Sequence, residues 1–360
     1  MKNIFRSKFT FRLPKKKKFL IYDVNSEVVL SQILNKVIAG NSEVVHTRFE
    51  VISIPIFFLS ILYNFEESLK FKNIYFNYIK TFIIVTKPVI VITFIDNDKR
   101  FYKLKKYFRN IKFIAIQNGY RFFKDDLFES IKTSKYIFEC DEYYCFGENI
   151  KNYLKDKIKA KIYVIGSLKN NYCTIKKNII KKNICFISSF GISNHKNEKK
   201  LLNIIHQFCV KNNSNLEILP RRKSEEEEDF FKNILKHKNF IFHNKDDKIC
   251  ASYNIIDSSK MCVSLNATLG YESLCRGNKT LFFLNDRKIN CYSFRKFGFP
   301  AIFDNEGLFW TDKIEEKSII DKLSFIYHMS DDDWKIQSDE IIKKLMIFDN
   351  NNQFLIKNLK

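Results

Sequence analysis

The chain has 360 residues, 45% of them hydrophobic, which suits two domains of roughly 150 to 180 residues and excludes wholesale disorder. Its net charge of +22 comes from 51 lysines and only 11 arginines, so a diffusely basic solvated surface competes with a built anion-binding one. No motif with aromatics interleaved in RNA-recognition order accompanies that charge, and no specific nucleic-acid partner is expected.

Residues 1–18 form a basic segment lacking the apolar h-region and small-residue cleavage site of a secretory signal, which points to a cytoplasmic protein. FLIYDV (19–24) reads as a first strand, followed by the amphipathic stretch SEVVLSQILNKVI. The run VISIPIFFLSILY (51–63) is shorter than the ~18 residues of a membrane span and contains Pro55. It is expected to be a buried helix, with an interfacial membrane contact as the alternative. A basic N-terminus beside it would suit peripheral association with the inner membrane. PVIVITFI (88–95), KFIAIQ (112–117) and KIYVIG (161–166) continue the strands, each ending in a polar or glycine-bearing loop.

The Lys/Asn-rich stretch near 168–182 has linker composition. Beyond it NICFISSF (183–190), the helix-like EKKLLNIIHQFCVKN, LEILP (216–220), NFIFH (239–243), KMCVSL (260–265) and KTLFFL (279–284) repeat the scheme. SEEEED (224–229) reads as a solvated first helical turn whose carboxylates complement the helix dipole. From 313 onward the chain reads as helical, with DNNNQ as a frayed tail. Alternation of strand-length and helical runs is the signature of βαβ units and a parallel sheet, whose ligands sit at the carboxyl ends of the strands. The expected division is a basic segment 1–18, an acceptor-side domain 19–170, a nucleotide-side domain 183–312 and a helical segment 313–360. The nine cysteines include no CxxC pair and no Cys/His cluster at zinc spacing. They read as small core residues in a reducing compartment, and no metal is expected.

The densest chemistry lies at strand ends. SLNATLGYESL (264–274) follows a strand and opens a helix, whose first N–H groups suit a phosphate. There Ser264, Asn266 and Thr268 offer donors, Leu269 sits in the first turn, Gly270 allows close approach to the backbone, and Glu272 is placed to reach ribose hydroxyls. Ordinary N-capping by Asn266 or Thr268 explains the same residues without a ligand. Ser188 and Ser189, then Pro220 and Arg221, close two neighbouring strands; turn chemistry and surface charge are the alternative there. In the first half Asp96 follows one strand and Gln117-Asn118-Gly119 the next, with Arg121 adjacent. Arg48, Gln117, Gly119 and Arg121 are the sugar- or acceptor-binding candidates; Asp23, Asp96 and Asn118 are the catalytic candidates.

IDNDKRFYKL, IAIQNGYR, CDEYYCFG, VIGS, SLNATLGYESLCRGNKTLFFLNDR and EGLFW together resemble the bacterial surface carbohydrate biosynthesis proteins, over about residues 19 to 310. The resemblance implies an α/β, GT-B-like fold of two Rossmann-like domains facing a cleft, and a part in capsule, lipopolysaccharide or related glycan assembly. More distantly the chain is similar to capsule Kdo transferases and bacterial sialyltransferases, which use CMP-activated acidic sugars. By position, Gln117-Asn118-Gly119 matches their acidic loop, Leu219-Pro220 their His-Pro motif, and Ser264 to Thr268 their Ser/Thr motif. Asn118 stands where that family has an Asp and Leu219 where it has a His, and an amide takes no proton from a hydroxyl. Asp23 or Asp96 must then supply a base. The implied activity is a metal-independent glycosyltransferase using a nucleotide-sugar donor, without further cofactor, on a glycan or lipid-linked acceptor. The alternative is a non-catalytic nucleotide-sugar- or glycan-binding protein.

Overall fold

The computed structural model describes residues 7–63, 71–121, 127–128, 138–175, 180–191, 195–236, 238–244, 246, 248–265, 267–284, 297–301 and 303–360. It opens on β1 (Lys8–Thr10), then β2 (Phe19–Tyr22), α1 (Val24–Ile33), the single turn α2 (Asn35–Ile38), β3 (Ser42–Val45) and β4 (Val51–Ser53). Next come α3 (Ile54–Tyr63), α4 (Phe71–Thr86), β5 (Ile90–Thr93), α5 (Lys99–Lys105), β6 (Lys112–Ile116), β7 (Phe138–Cys145), α6 (Glu148–Leu154) and β8 (Ile158–Val164). Six strands form one all-parallel sheet in the order β3-β2-β5-β6-β7-β8, while β1 and β4 pair as a separate parallel ribbon. FLIY and IVIT are buried along their whole length, as expected of parallel strands covered on both faces by helices.

After α7 (Leu168–Tyr172) the second sheet begins: β9 (Ile184–Ile187), α8 (His195–Lys211), β10 (Leu216–Leu219), α9 (Glu225–Ile234), β11 (Ile241–Phe242), α10 (Ala251–Ser258), β12 (Met261–Ser264), α11 (Thr268–Cys275) and β13 (Thr280–Phe283). It closes with β14 (Glu306–Gly307) and β15 (Trp310–Thr311), giving the order β11-β10-β9-β12-β13-β15-β14. Among the described residues of this sheet β14 pairs with β15 antiparallel, and the other strand pairings are parallel. Then follow α12 (Glu316–His328), α13 (Asp331–Leu345), one 3-10 turn at Asn350–Asn352 and α14 (Gln353–Leu359). The fold is two Rossmann-like halves with the architecture of GT-B proteins.

Several sequence expectations are corrected. The run 51–63 is a strand and then a helix, with Pro55 in the first turn where its missing N–H costs nothing. α3 is not a buried helix: only Ile56 and Ser60 of it are buried. The stretch near 168–182 begins as buried structure, since Asn170 and Asn171 are fully enclosed in α7. Cys173 and Cys250 form a disulfide across 77 residues, a pairing that cysteine spacing does not reveal. DNNNQ is no frayed tail either: Asn351 and Asn352 take left-handed backbone (φ 57° and 55°), which asparagine tolerates. Asn352 donates to the Leu168 carbonyl and accepts from Asn171 Nδ2, both at 3.0 Å. That turn sends α14 back onto the first half, where Leu355 and Leu359 pack with Phe19, Ile21 and Leu30.

β7 was not among the expected strands because FECDEYYC carries three carboxylates. Each has a cation: Arg109 on Glu139 (3.0 Å), Lys105 on Asp141 (2.8 Å) and Lys112 on Glu142 (2.7 Å). Asp141 also accepts the Phe113 N–H at 2.6 Å.

Candidate functional site

A cavity of about 650 Å³ lies between the halves, at the carboxyl ends of the strands. From the first half it is lined by α1 (Val28, Val29, Gln32) and by Asn118, Gly119, Tyr120 and Arg121 in the loop after β6. Lys169 joins from α7, and Ser188, Ser189, Pro220 and Arg221 come from the ends of β9 and β10. Asp246 and Lys248 follow β11, and Tyr253, Thr268, Leu269 and Glu272 complete the wall.

The loop after β6 and the start of α11 meet directly. The Tyr120 N–H donates to Thr268 Oγ1 at 3.0 Å, and the Tyr120 and Tyr271 rings stack at 3.8 Å. A Cβ on Gly119 would come within 3.2 Å of Thr268 Oγ1, so the absence of a side chain there permits the approach. The N-cap of α11 is Ala267, which offers no side-chain cap. Thr268 and Leu269, its first two residues, therefore bring a helix N-terminus and its partial positive charge to the cavity. Ser264 supports this turn from behind: fully buried, its Oγ accepts the Ala267 N–H at 3.1 Å. Gly270 faces the same way, since a Cβ there would lie 2.6 Å from Ser264 Oγ and 2.9 Å from Phe282.

Glu227 organises the Arg221 corner. Enclosed completely, its carboxylate accepts from Arg221 N and Arg222 N (2.8 Å each) and from Ser188 Oγ (2.5 Å). Ser224 caps α9 by accepting the Glu227 N–H at 3.1 Å. One member of the SEEEED run is thus a buried brace rather than a solvated charge. Arg221 Nη1 donates to the Phe190 carbonyl at 2.9 Å, and burial and the neighbouring Arg222 lower its pKa. On the opposite wall Glu272 accepts from Ser167 Oγ and bonds the Tyr253 hydroxyl. Burial raises its pKa above the ordinary carboxylate value, against the opposing pull of Ser167 and Lys169. Four cationic side chains (Arg121, Lys169, Arg221, Lys248) and two carboxylates (Asp246, Glu272) line the cavity, a balance that favours an anionic ligand.

With this geometry in view, comparison with known proteins identifies the chain's relatives. A family profile described as "putative O-antigen biosynthesis protein" matches residues 114–201 and 192–360. The chain belongs to that family. Among solved structures it is similar to the UDP-GlcNAc 2-epimerase of Methanocaldococcus jannaschii in complex with UDP-GlcNAc and UDP (14% identity, TM-score 0.56, covering 96% of this chain and 99% of that one). The Neisseria meningitidis enzyme bound to UDP-GlcNAc is also similar (13%, TM-score 0.55, 95% and 98%). So is a Listeria monocytogenes protein described as a UDP-N-acetylglucosamine 2-epimerase (12%, TM-score 0.58, 95% and 95%). At such identities the likeness establishes the fold, here GT-B-like. A sequence search of curated proteins gives no match.

In this O-antigen family member the cavity brings together Asn118, Gly119, Arg121, Ser188, Ser189, Pro220, Arg221, Thr268, Leu269 and Glu272 of the candidate residues at the strand ends. The others stand elsewhere. Asp23 caps α1 from a left-handed backbone (φ 83°), accepting from Asn25 N (2.8 Å) and Thr47 Oγ1 (2.5 Å), with Arg48 at 3.4 Å. Neither Asp23 nor Arg48 lines the cavity. Asp96 lies behind the wall, held by Arg121, by Tyr143 OH (2.6 Å) and by Asn118 N (3.2 Å). Gln117 is a turn brace: its amide donates to the Gly119 carbonyl and accepts from Phe146 N, each at 3.0 Å. Ser264 and Gly270 pack behind the helix N-terminus, so the close approach Gly270 permits is by protein, not by ligand. Asn266 lies outside the described residues. Lys169, Asp246, Lys248 and Tyr253 escaped sequence reasoning. The rule that ligands gather beyond strand carboxyl ends, applied to β11, points to Asp246 and Lys248.

Proposed function

We propose that this protein is a glycosyltransferase of cell-surface polysaccharide assembly that draws its sugar from a nucleotide donor held in the cleft. The observation that carries this reading is the uncapped N-terminus of α11 opening, with Arg221 and Lys248, onto a 650 Å³ cavity between two Rossmann-like halves. In the proposed complex the donor phosphates sit at Thr268 and Leu269, where helix amides and the two cations stabilise the leaving nucleotide without needing a metal ion. Glu272 uses its remaining acceptor capacity for the ribose hydroxyls. The acceptor enters against Asn118 and Arg121. Asp246, the exposed carboxylate of the lining, takes the proton from the attacking hydroxyl, because Asp96 is engaged by three donors.

The similar epimerase structures hold UDP or UDP-GlcNAc, which makes UDP-sugars the first donors to test, with CMP-activated acidic sugars beside them. One observation favours a second reading, binding without transfer: of the two carboxylates among the described lining residues Glu272 is buried, so Asp246 has no second exposed carboxylate to back it as a base. Isothermal titration with UDP, CMP and GDP, followed by nucleotide release from the matching nucleotide-sugar in the presence of lipid-linked acceptor, separates the two. Binding with acceptor-dependent release that Asp246→Asn abolishes supports transfer. Binding with no release supports the second reading, and no binding of any nucleotide sinks both.

A further inference from the structure

α3 carries no charged residue, and Phe58, Leu62 and Tyr63 on it are 61%, 72% and 63% exposed. Phe58 and Leu62, one turn apart, share a face. Beside it runs the N-terminal ribbon. β1 pairs in parallel with β4, whose last residue, Ser53, directly precedes α3, and Ser53 Oγ donates to the Arg12 carbonyl at 2.9 Å. Along this ribbon Phe9 and Phe11 are 61% and 80% exposed and Leu13 is exposed as well, at alternate positions that share one side. Lys8 precedes them, Arg12 lies between them and Lys15, Lys16, Lys17 and Lys18 follow, with no acidic residue from 7 to 22. Arg12 leans on Glu43 at 3.4 Å and Lys17 on the Gly40 carbonyl, while Lys8, Lys15 and Lys16 are exposed.

We propose that α3 and the N-terminal ribbon form a docking face for a membrane surface rich in anionic phospholipid. The apolar side chains enter the headgroup boundary and the lysines meet lipid phosphates. Charge decides the occupant. A second copy of the chain docked on this face would set the exposed Lys8, Lys15 and Lys16 against their own counterparts, whereas an anionic bilayer complements them. α3, at ten residues, is too short to cross a bilayer, and among the described residues no helix is long and apolar enough to do so. The helix therefore lies in the surface, the geometry of interfacial amphipathic segments. Such docking is independent of the cleft chemistry, and it would hold the cavity near a lipid-linked acceptor.

The test is co-sedimentation of the full chain with vesicles of equal parts phosphatidylglycerol and phosphatidylcholine, against phosphatidylcholine alone. The wild type should bind the anionic vesicles and not the neutral ones. Phe58→Ser with Leu62→Ser should weaken partitioning at least about tenfold, since two large apolar side chains lose their burial. Lys15→Glu with Lys16→Glu should weaken it by about fivefold or more for each lysine removed. All four positions are exposed, so melting temperatures should not move. Absence of binding to anionic vesicles, binding unchanged by the Phe58/Leu62 pair, or a wild-type dimer by light scattering that this pair converts to monomer would each overturn the proposal. A failure of nucleotide binding would leave these results untouched, which separates this idea from the proposed activity.

Discussion

Removing the Glu227 carboxylate should loosen the cleft from behind, since Glu227 itself is not part of the lining but holds Ser188 and Arg221, which are. Glu227→Ala leaves the Arg221 and Arg222 amides and the Ser188 hydroxyl without their acceptor. An unmet buried donor costs about 1–3 kcal/mol. Both arginines are exposed, so water compensates in part, and the expected loss is about 2–4 kcal/mol. In a chain of this size that lowers Tm by roughly 3–5 °C. Glu227→Gln keeps the shape but turns one acceptor into a donor facing an N–H, for about 1–2 kcal/mol. Urea unfolding reads the stability and titration calorimetry the nucleotide affinity, which should weaken about tenfold in the alanine variant as Arg221 loses its anchor. Stability within experimental error of wild type, or full affinity in a destabilised variant, would refute the assignment of Glu227 as the brace of the Arg221 corner.

Gly270→Ala should destabilise by about 1–2 kcal/mol although alanine is the better helix former, because the 2.6 Å contact with Ser264 Oγ forces overpacking that outweighs the propensity gain. A rise in Tm would contradict the packing described. Asn352→Ala should cost about 2–4 kcal/mol, from two lost hydrogen bonds and a left-handed alanine, and Asn352→Gly about half of that; equal losses would remove backbone strain from the explanation. Glu272 has a raised pKa in the folded chain, so the native state binds more protons than the unfolded one. Its contribution to stability is fully present below the unfolded carboxylate pKa and is lost as pH rises through the folded value. The Tm of Glu272→Gln, measured against pH, should thus gain on wild type as pH climbs from below 4.5, and parallel profiles would defeat the point.

Much of the fold was legible because parallel strands covered on both faces announce themselves as largely apolar runs: FLIY, IVIT, ICFI and TLFF are all strands, and so is LEIL, whose Glu217 meets His243 at 2.9 Å. β7 escaped because its carboxylates look solvated until Lys105, Arg109 and Lys112 arrive from α5, the following loop and β6. DNNNQ and SEEEED misled for a related reason. Polar composition predicts exposure, yet Asn352 and Glu227 are enclosed by partners distant in sequence or folded back by a local cap.

The site divides along the same line. Thr268, Leu269, Ser188, Arg221 and Asn118 were readable as strand-end residues, because a strand running into a helix puts its loop at one edge of a sheet whatever the partners are. Which residues at those edges face the cavity and which serve behind it depends on long-range packing. Ser264, Gly270, Gln117 and Asp96 turn inward since each has a specific protein neighbour to satisfy: the Ala267 amide, Phe282, the Phe146 amide and Arg121. Lys169 belongs to the site through a segment whose local sequence carries no signature, and Asp246 and Lys248 through a strand end that offers a position but no motif. Their place is fixed by the closing of one half on the other, an arrangement set by long-range packing that residue spacing does not encode.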